Sequence, residues 1–264
     1  MSYQVRKVFC RRFQYVNVLM HLHWCAELIN LMVKAERMFQ HVIIEKTEDG
    51  SDTLFVPELN EHYHSVHGAT TESNHVFIDA GLMPILEEKK HIRILEIGFG
   101  TGLNALLTIL RTNGSHLIHY TGIELYPLPQ EVIRQLDFAL PPEEKNVWEQ
   151  LHTVEWNEYA AITDNFHLKK WQTDVTKCLV FTEQYDLIYF DAFAPDIQPA
   201  MWTPELFESL FNAMNDGGIL TTYCAKGQVR RNMQQAGFTT ERLPGPPGKR
   251  EMLRARKCVN VLMC

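Results

Sequence analysis

The chain has 264 residues, of which 45% are hydrophobic and 22% charged, and this composition suits one large globular domain or one domain with an appendage. Its net charge of −7 gives no general sign of nucleic-acid binding. The six cysteines form no C-x-x-C pair, so they favour reduced thiols and a cytoplasmic protein over a disulfide framework.

The N-terminal segment contains an apolar run, from Val16 to Val33, that follows a cluster of basic residues. Polar side chains such as His21 and Glu27 interrupt the run, whereas a membrane-spanning helix needs about 20 mostly apolar residues. No small-x-small cleavage site follows, so a surface or packing helix, or a non-native leader, is favoured over a signal peptide. We therefore assign residues 1–37 to an N-terminal extension and expect no membrane association.

A β-hairpin is predicted next in the chain. Residues 42–56 alternate loosely between apolar and polar side chains, and the pair Asp49-Gly50 in the middle is typical of a hairpin turn. We place this hairpin in a small segment, residues 38–90, that precedes the main domain, residues 91–264.

Strand-like apolar runs alternate with helix-like runs in the main domain. The strands have the sequences IRILEIG, LIHYTGIEL, YDLIYFDAF and GGILTTYC, and the helices have the sequences LNALLTILR, PQEVIRQLDFA, TPELFESLFNAM and QVRRNMQQAG. This alternation predicts a doubly wound, Rossmann-like α/β fold with a mostly parallel sheet. At the end, FTTERL and REMLRARK flank the short turn PGPPG, so the last strand is expected to run antiparallel.

Three glycines at alternate positions, Gly98, Gly100 and Gly102, follow the first of these strands. In doubly wound sheets, ligands bind beyond the carboxyl ends of the strands, where such a turn opens the next helix. The spacing differs from the dinucleotide fingerprint G-x-G-x-x-G. Glu96 would repel a pyrophosphate and suits a ligand with an ammonium group, although a solvated strand-end charge is the alternative. Glu124, at the end of the next strand, could accept hydrogen bonds from both ribose hydroxyls.

Two sets of motifs carry a family resemblance. The string EIGFGTG followed by GIEL resembles the S-adenosylmethionine-dependent methyltransferases of the doubly wound type. The longer strings FDAFAPDIQPAMWTPELF and GFTTERLPGPPGKREMLRA are similar to the methyltransferase domain of the bacterial enzymes that make 5-methylaminomethyl-2-thiouridine at the wobble position of tRNA. The similarity runs from about Met38 to Lys257.

The resemblance implies an activity and its partners. We expect methyl transfer from S-adenosylmethionine to the aminomethyl group of 5-aminomethyl-2-thiouridine in the tRNA anticodon loop, with no binding of NAD or flavin. In many bacteria this domain is fused to a flavin-dependent oxidase. Because this chain ends just after the last methyltransferase strand, a stand-alone form is expected, with a separate oxidase or other wobble-uridine enzymes as further partners.

The resemblance also assigns residues to the cofactor. The three glycines would pack against its methionine and ribose portions, Glu124 would hold the ribose, and Asp174 would lie near the adenine amino group or simply cap a loop. Histidines at 62, 64 and 67 lack the cysteine or carboxylate partners of a zinc site, so no metal is expected. The complete predicted cofactor set is Tyr63, Ser65, Glu72, Glu96, Gly98, Gly100, Gly102, Asn104, Glu124 and Asp174.

Asp191 is the predicted catalytic residue, because it ends the apolar strand LIYFD at the edge where the sheet presents side chains to a ligand. It could orient the acceptor amine and stabilise the positive charge that grows on nitrogen. A helix N-cap at the strand-helix turn is the alternative role. Phe193 and Trp202 could stack on an unstacked base, or could belong to the core.

The basic residues are concentrated in one segment near the C-terminus, although the net charge of the chain is negative. Between Lys226 and Lys257 there are nine basic and two acidic residues, which give a local charge of +7 and leave −14 on the rest of the chain. A clustered basic face is what phosphate binding requires. The predicted tRNA contacts are Lys226, Arg230, Arg231, Lys249 and Arg250, and a solvated surface is the alternative for some of them.

Two other functions stay open at this point. One is methylation of a small-molecule or protein amine, which changes the substrate but not the cofactor. The other is a non-catalytic tRNA-binding module that has kept the fold. Asp191 and the intact glycine turn argue against the second, since a binding module needs neither.

Overall fold

Residues 42–177 and 180–258 are described by the computed structural model. The predicted N-terminal extension, residues 1–37, lies outside these described residues. No helix within the described ranges has both the length and the apolar character that crossing a bilayer requires. Of the cysteines in these ranges, Cys224 is buried, Cys258 is partly exposed, and both are free thiols.

A small antiparallel sheet opens the described chain, and it confirms the predicted hairpin. Its strands are β1 (Ile43–Lys46), β2 (Asp52–Val56) and β3 (Glu61–His62), in the order β1-β2-β3. Gly50 has a φ of 84° at the turn between β1 and β2. The β2–β3 pair leads directly into residues 63–73, which we call the covering segment.

The helices mostly follow the strands, as the alternating pattern predicts. A continuous helical stretch after β3 changes from α-helix to π-helix (Asn74–Leu82) and back, and a single 3₁₀ turn covers Pro199–Trp202. The α-helices are α1 (Ala69–Ser73), α2 (Met83–Glu88), α3 (Leu103–Thr112), α4 (Gln130–Ile133), α5 (Pro142–Thr153), α6 (Pro204–Asn212) and α7 (Gly227–Gln235).

The main sheet has eight strands within the described ranges: β4 (His91–Ile97), β5 (Leu117–Glu124), β6 (Tyr159–Thr163), β7 (Phe166–Gln172), β8 (Tyr185–Phe190), β9 (Met214–Thr222), β10 (Thr239–Pro244) and β11 (Glu251–Arg256). Their order is β10-β11-β9-β8-β4-β5-β7-β6. The five central strands β9, β8, β4, β5 and β7 are parallel, whereas β6 and β11 run antiparallel to their neighbours. The doubly wound, mostly parallel fold and the antiparallel last strand are thus confirmed.

One predicted helix is much shorter than expected. The sequence predicts a helix over residues 129–139, but α4 ends at Ile133 and is followed by turns. The N–H of Asp137 donates to the carboxylate of Asp52 (2.7 Å), and Ala139 has a positive φ of 55°, so tertiary contacts override the helical periodicity. The proline at 141 further restricts the residue before it to extended backbone.

The core places the carboxyl ends of β4, β5 and β8 side by side. Every residue of β8 is buried, as expected for a central parallel strand with both faces covered. Leu103 and Leu106 of α3 are buried as well, so this helix packs on the sheet directly after the glycine turn. The residues that follow these three strands therefore meet at one edge of the sheet, where a ligand of a doubly wound fold binds.

Candidate active site

Contacts within the protein partly explain why glycine occupies three positions of this turn. Gly98, Gly100 and Gly102 have φ values of 91°, 49° and 71°, and residues with a side chain rarely adopt this backbone conformation. A Cβ at Gly98 would overlap the main-chain carbonyl of Asp191, and one at Gly100 would lie 3.3 Å from the ring of Tyr63. The turn is therefore pressed against both the end of β8 and the covering segment.

Glu124 ends β5 directly beside this turn. Its Oε2 accepts a hydrogen bond from the N–H of Gly100 (3.1 Å), and its Oε1 accepts from the N–H groups of Leu125 (2.9 Å) and Tyr126 (3.0 Å). Burial raises the pKa of the Glu124 carboxyl. The main-chain donors fix this carboxylate at the strand end, in the place expected for a group that binds ribose hydroxyls.

Asn104 joins two acids at the floor of the site. Its Nδ2 donates to Oε1 of Glu96 (2.8 Å) and to Oδ2 of Asp191 (2.9 Å). Glu96 is fully buried, so its alternative reading as a solvated strand-end charge is wrong, and burial raises its pKa well above the usual range. Oε2 of Glu96 and Oδ1 of Asn104 have no hydrogen-bond partner within the described residues.

Asp191 follows the last residue of β8. Its N–H donates to the carbonyl of Ile97 (2.9 Å), which ties it to the end of β4. No α-helix begins at Asp191, and the next helical turn starts only at Pro199, so the N-cap alternative does not apply. Burial raises the pKa of Asp191 to about 7, with the charge of Glu72 acting in the same direction and the Asn104 hydrogen bond acting against it.

The covering segment brings three predicted residues to the same place. The ring of Tyr63 packs edge-on against Phe193, with ring centroids 5.2 Å apart. The N–H of Ser65 donates to Oε2 of Glu72 (2.8 Å). Glu72 is buried and its other carboxylate oxygen forms an ion pair with Lys249. Phe193 therefore packs against the covering segment, and its stacking on a base stays a prediction.

Trp202 lies in the core instead of facing a ligand. It is 3% exposed, and its ring contacts Phe190 with centroids 4.9 Å apart. Its Nε1 donates to the carbonyl of Phe193 (2.9 Å). The expectation that Trp202 stacks on a base is therefore corrected: the buried indole supports the loop that carries Phe193.

Asp174 has a local partner in the described structure. Its Oδ1 accepts hydrogen bonds from the N–H (3.0 Å) and the hydroxyl (2.6 Å) of Thr176, and its other oxygen lies 3.7 Å from Nζ of Lys177. These contacts are those of a loop cap. The assignment of Asp174 to the adenine amino group stays a prediction.

The basic residues do not share one environment. Lys249 forms an ion pair with Glu72 and lies over the ring of Tyr223. The sequence pattern did not predict that Tyr223 lies at the site. Arg250 is 92% exposed on its side chain, with a carboxylate of Glu251 3.9 Å away. Three other basic residues are predicted tRNA contacts. Lys226 pairs with Asp196, and Arg231 donates a hydrogen bond to Gln228. The Nε of Arg230 is buried and has no hydrogen-bond partner in the described ranges.

The three histidines of the sequence motif contact different groups. His62 lies 3.0 Å from Glu45, His67 lies 3.0 Å from Glu48, and Nε2 of His64 lies 2.8 Å from the hydroxyl of Thr101. Within the part of the chain that the structure describes, no three metal-ligating side chains cluster.

The donor set fits S-adenosylmethionine. A fixed carboxylate stands at the end of β5 where a ribose would bind, and the turn beside it has the left-handed glycines that a close ligand requires. The unpartnered acceptor oxygens of Glu96 and Asn104 suit a ligand that donates hydrogen bonds, such as an ammonium group. A pyrophosphate would face several carboxylates here.

Comparison with known proteins gives the same cofactor. A family model described as S-adenosyl-L-methionine-dependent methyltransferase matches residues 142–258. The tRNA 5-methylaminomethyl-2-thiouridine biosynthesis bifunctional protein of Burkholderia thailandensis is 32% identical over 224 residues, which cover 78% of this chain and 33% of that protein. The Burkholderia mallei protein of the same name is 32% identical, and the matched residues cover 78% of this chain and 34% of that protein. The chain thus spans about a third of the length of the curated relatives it matches.

Solved structures support the fold. The crystal structure of MnmC2 from Aquifex aeolicus has a TM-score of 0.72 at 23% identity and covers 94% of this chain and 85% of that one. Spermidine synthase from Thermotoga maritima has a TM-score of 0.50 at 12% identity over 83% of this chain and 73% of that one. At these identities the likeness concerns the fold alone.

Proposed function

Since this chain belongs to the S-adenosyl-L-methionine-dependent methyltransferases, we propose that it methylates the aminomethyl group of 5-aminomethyl-2-thiouridine at the wobble position of tRNA. The observation that carries the proposal is the 32% identity, over 78% of this chain, with proteins of 5-methylaminomethyl-2-thiouridine biosynthesis. A tRNA substrate would place this activity in the cytoplasm.

The cofactor would be held by the groups at the ends of β4 and β5. Glu124 would accept hydrogen bonds from the ribose hydroxyls, and Glu96 together with Asn104 would face the methionine ammonium group. When bound, the cofactor would supply a methyl group on a positively charged sulfur, and transfer of that methyl to the acceptor nitrogen would leave S-adenosylhomocysteine. The glycine turn provides the close main-chain approach that this cofactor requires.

Asp191 would act on the acceptor amine. An alkylammonium ion has no lone pair, so the amine must lose a proton before it can attack a methyl group. An ionised Asp191 can accept a hydrogen bond from the amine and stabilise the positive charge that grows on nitrogen. Because burial brings its pKa to about 7, this carboxylate can also change its protonation state near neutral pH. Alignment of the reacting atoms at roughly 3–3.5 Å would contribute much of the remaining rate.

The substrate base would be recognised beside Phe193. Bases of a single-stranded loop can be turned out at low cost and stacked on an aromatic side chain. Phe193 is partly exposed and its ring is held by Tyr63, so it can offer such a surface. The exposed Arg250 and Arg231 would then contact the flanking phosphates.

Mass spectrometry of modified nucleosides tests the proposal in vivo. We expect that tRNA from a bacterial strain without this methyltransferase activity accumulates 5-aminomethyl-2-thiouridine, and that expression of this chain converts it to the 5-methylaminomethyl form. An Asp191→Asn chain should not complement. A strain that stays unmethylated in the presence of well-folded parent protein would favour a small-molecule or protein amine as the substrate. Equal complementation by parent and variant would exclude Asp191 from the chemistry.

A further inference from the structure

Lys249 has an environment unlike that of an exposed, phosphate-binding lysine. Its Nζ forms an ion pair with the buried carboxylate of Glu72 and lies 3.9 Å from the centre of the Tyr223 ring. The Tyr223 hydroxyl in turn donates to the carbonyl of Ala192 (2.8 Å), the residue that follows Asp191. One ammonium group therefore connects the covering segment with the end of β9 and the loop after β8.

The loop that carries Lys249 is packed in place. A Cβ at Gly248, whose φ is 81°, would overlap the ring of His67, and Nε2 of His75 lies 2.8 Å from the carbonyl of Pro244. The side chain of Lys249 is 34% exposed, whereas that of its neighbour Arg250 is 92% exposed. The two adjacent cations thus point to different surroundings, one toward the site and one toward solvent.

We propose that Lys249 is a positioning residue of the methyl transfer: its ammonium group, paired with Glu72 and packed on Tyr223, holds the covering segment against the loop after β8 and supplies a positive charge to this acidic site. This inference rests on the proposed function. It also departs from the sequence-based expectation that Lys249 contacts a tRNA phosphate, and leaves Arg250 in that role.

The charges around Asp191 explain why a cation is needed. Burial raises its pKa to about 7, Glu72 pushes the pKa in the same direction, and Lys249 lowers it. Without the ammonium group the pKa rises further, and a larger share of Asp191 is protonated at neutral pH and unable to accept from the amine. The charged groups that act on the pKa of Asp191 are Glu72, Glu124 and Lys249, with Asn104 as its hydrogen-bond donor. The charge of Asp191 in turn raises the pKa values of Glu96, Tyr120 and Tyr223.

The test compares two neighbouring cations by the pH dependence of kcat at saturating tRNA and cofactor. For Lys249→Met we expect the rise of kcat with pH to move about one unit toward alkaline pH, since the positive charge that lowers the pKa of Asp191 has been removed. Lys249→Arg should restore most of the parent profile. Arg250→Met should keep the profile, raise the KM for tRNA and flatten its salt dependence. The substrate is the same molecule in all variants, so differences between their profiles arise in the protein and in its complex with the substrate.

Three results would overturn the inference. The first is a Lys249→Met protein with the parent pH profile but a higher KM and a flatter salt dependence, which would make Lys249 a phosphate contact. The second applies if Lys249→Met does not fold: Glu72→Gln should then move the profile toward acidic pH, and an unmoved profile contradicts the proposal. The third is an unchanged pKa of Asp191 in Lys249→Met by NMR titration of the carboxyl carbon. That titration needs no tRNA, so a parent protein that fails to methylate tRNA overturns the proposed function without deciding this inference.

Discussion

Replacing Asp191 by Asn separates shape from charge at the centre of the site. The amide keeps the size of the carboxylate and can still accept the hydrogen bond that Asn104 donates at 2.9 Å. It lacks the negative charge that would face the nascent ammonium. We expect kcat to fall by about 10²-fold, which corresponds to about 2.7 kcal/mol of transition-state stabilisation.

The pH dependence of kcat gives a second measure of the role of Asp191. With a pKa of about 7, the ionised fraction of Asp191 rises from about 10% at pH 6 to about 90% at pH 8. The parent kcat should therefore rise about tenfold from this group over that range. Asp191→Asn should lose this contribution and keep only the titration of the substrate amine.

Single-turnover methylation of tRNA that carries 5-aminomethyl-2-thiouridine measures both effects. The control is Asp164→Asn, an exposed aspartate between β6 and β7 at a distance in sequence and fold from the strand ends of the site. It should behave as the parent does, and calorimetry with S-adenosylhomocysteine should give a dissociation constant within a few-fold for all three proteins. A variant at position 191 with the parent rate and pH profile would refute the role of Asp191.

Three further predictions follow from the site and its supports. Gly98→Ala should lower the free energy of unfolding by about 1–3 kcal/mol more than Gly217→Ala in urea denaturation, because both positions have positive φ but only the first Cβ overlaps another main chain; equal losses would contradict the contact with β8. Glu124→Ala should weaken binding of S-adenosylhomocysteine roughly tenfold or more by calorimetry, since charged hydrogen bonds contribute about 1.5–3 kcal/mol; unchanged affinity would remove Glu124 from the ribose site. Burial lowers the pKa values of His64 and His152 from 6.5 to about 4, so below pH 6.5 the unfolded chain binds protons that the folded chain does not, and stability should fall as the pH drops toward 4. His152→Gln should reduce that fall in denaturation series at different pH values, and an unaltered pH dependence would argue against the buried neutral imidazole.

Much of the fold was accessible from local patterns. Central strands such as β8 have continuous apolar runs, and helices such as α3 have helical periodicity. Thr203 is of a residue type that favours helix N-caps, and its side chain accepts from the N–H of Leu206 at the start of α6. The hairpin β6–β7 and helix α5 were missed. Strand β7 has the sequence FHLKKWQ, and its two lysines interrupt the apolar pattern expected of a buried strand. Lys170 is nevertheless buried. Its ammonium group packs over the Trp156 ring, a contact between distant residues that no local pattern reveals.

The site divides in the same way. Glu124 and Asp191 could be predicted to lie at one edge of the sheet because one ends a strand and the other directly follows one, and the topology alone places strand ends together. Trp202 was misjudged because an aromatic in a loop has the same sequence appearance whether it faces a ligand or, as here, the core. Lys249 and Arg250 are adjacent in sequence, and their different surroundings follow from tertiary contacts: Lys249 pairs with the buried Glu72, whereas Arg250 is exposed.

Incubation of the purified chain with tRNA and S-adenosylmethionine labelled in its methyl group shows directly whether this chain methylates the wobble base. Digestion of the tRNA and mass spectrometry of its nucleosides locate the label. We expect labelled 5-methylaminomethyl-2-thiouridine from tRNA that carries the aminomethyl base, and no label in tRNA with an unmodified wobble uridine. Label on any other nucleoside, or none on the aminomethyl base while the protein binds S-adenosylhomocysteine normally, would contradict this expectation.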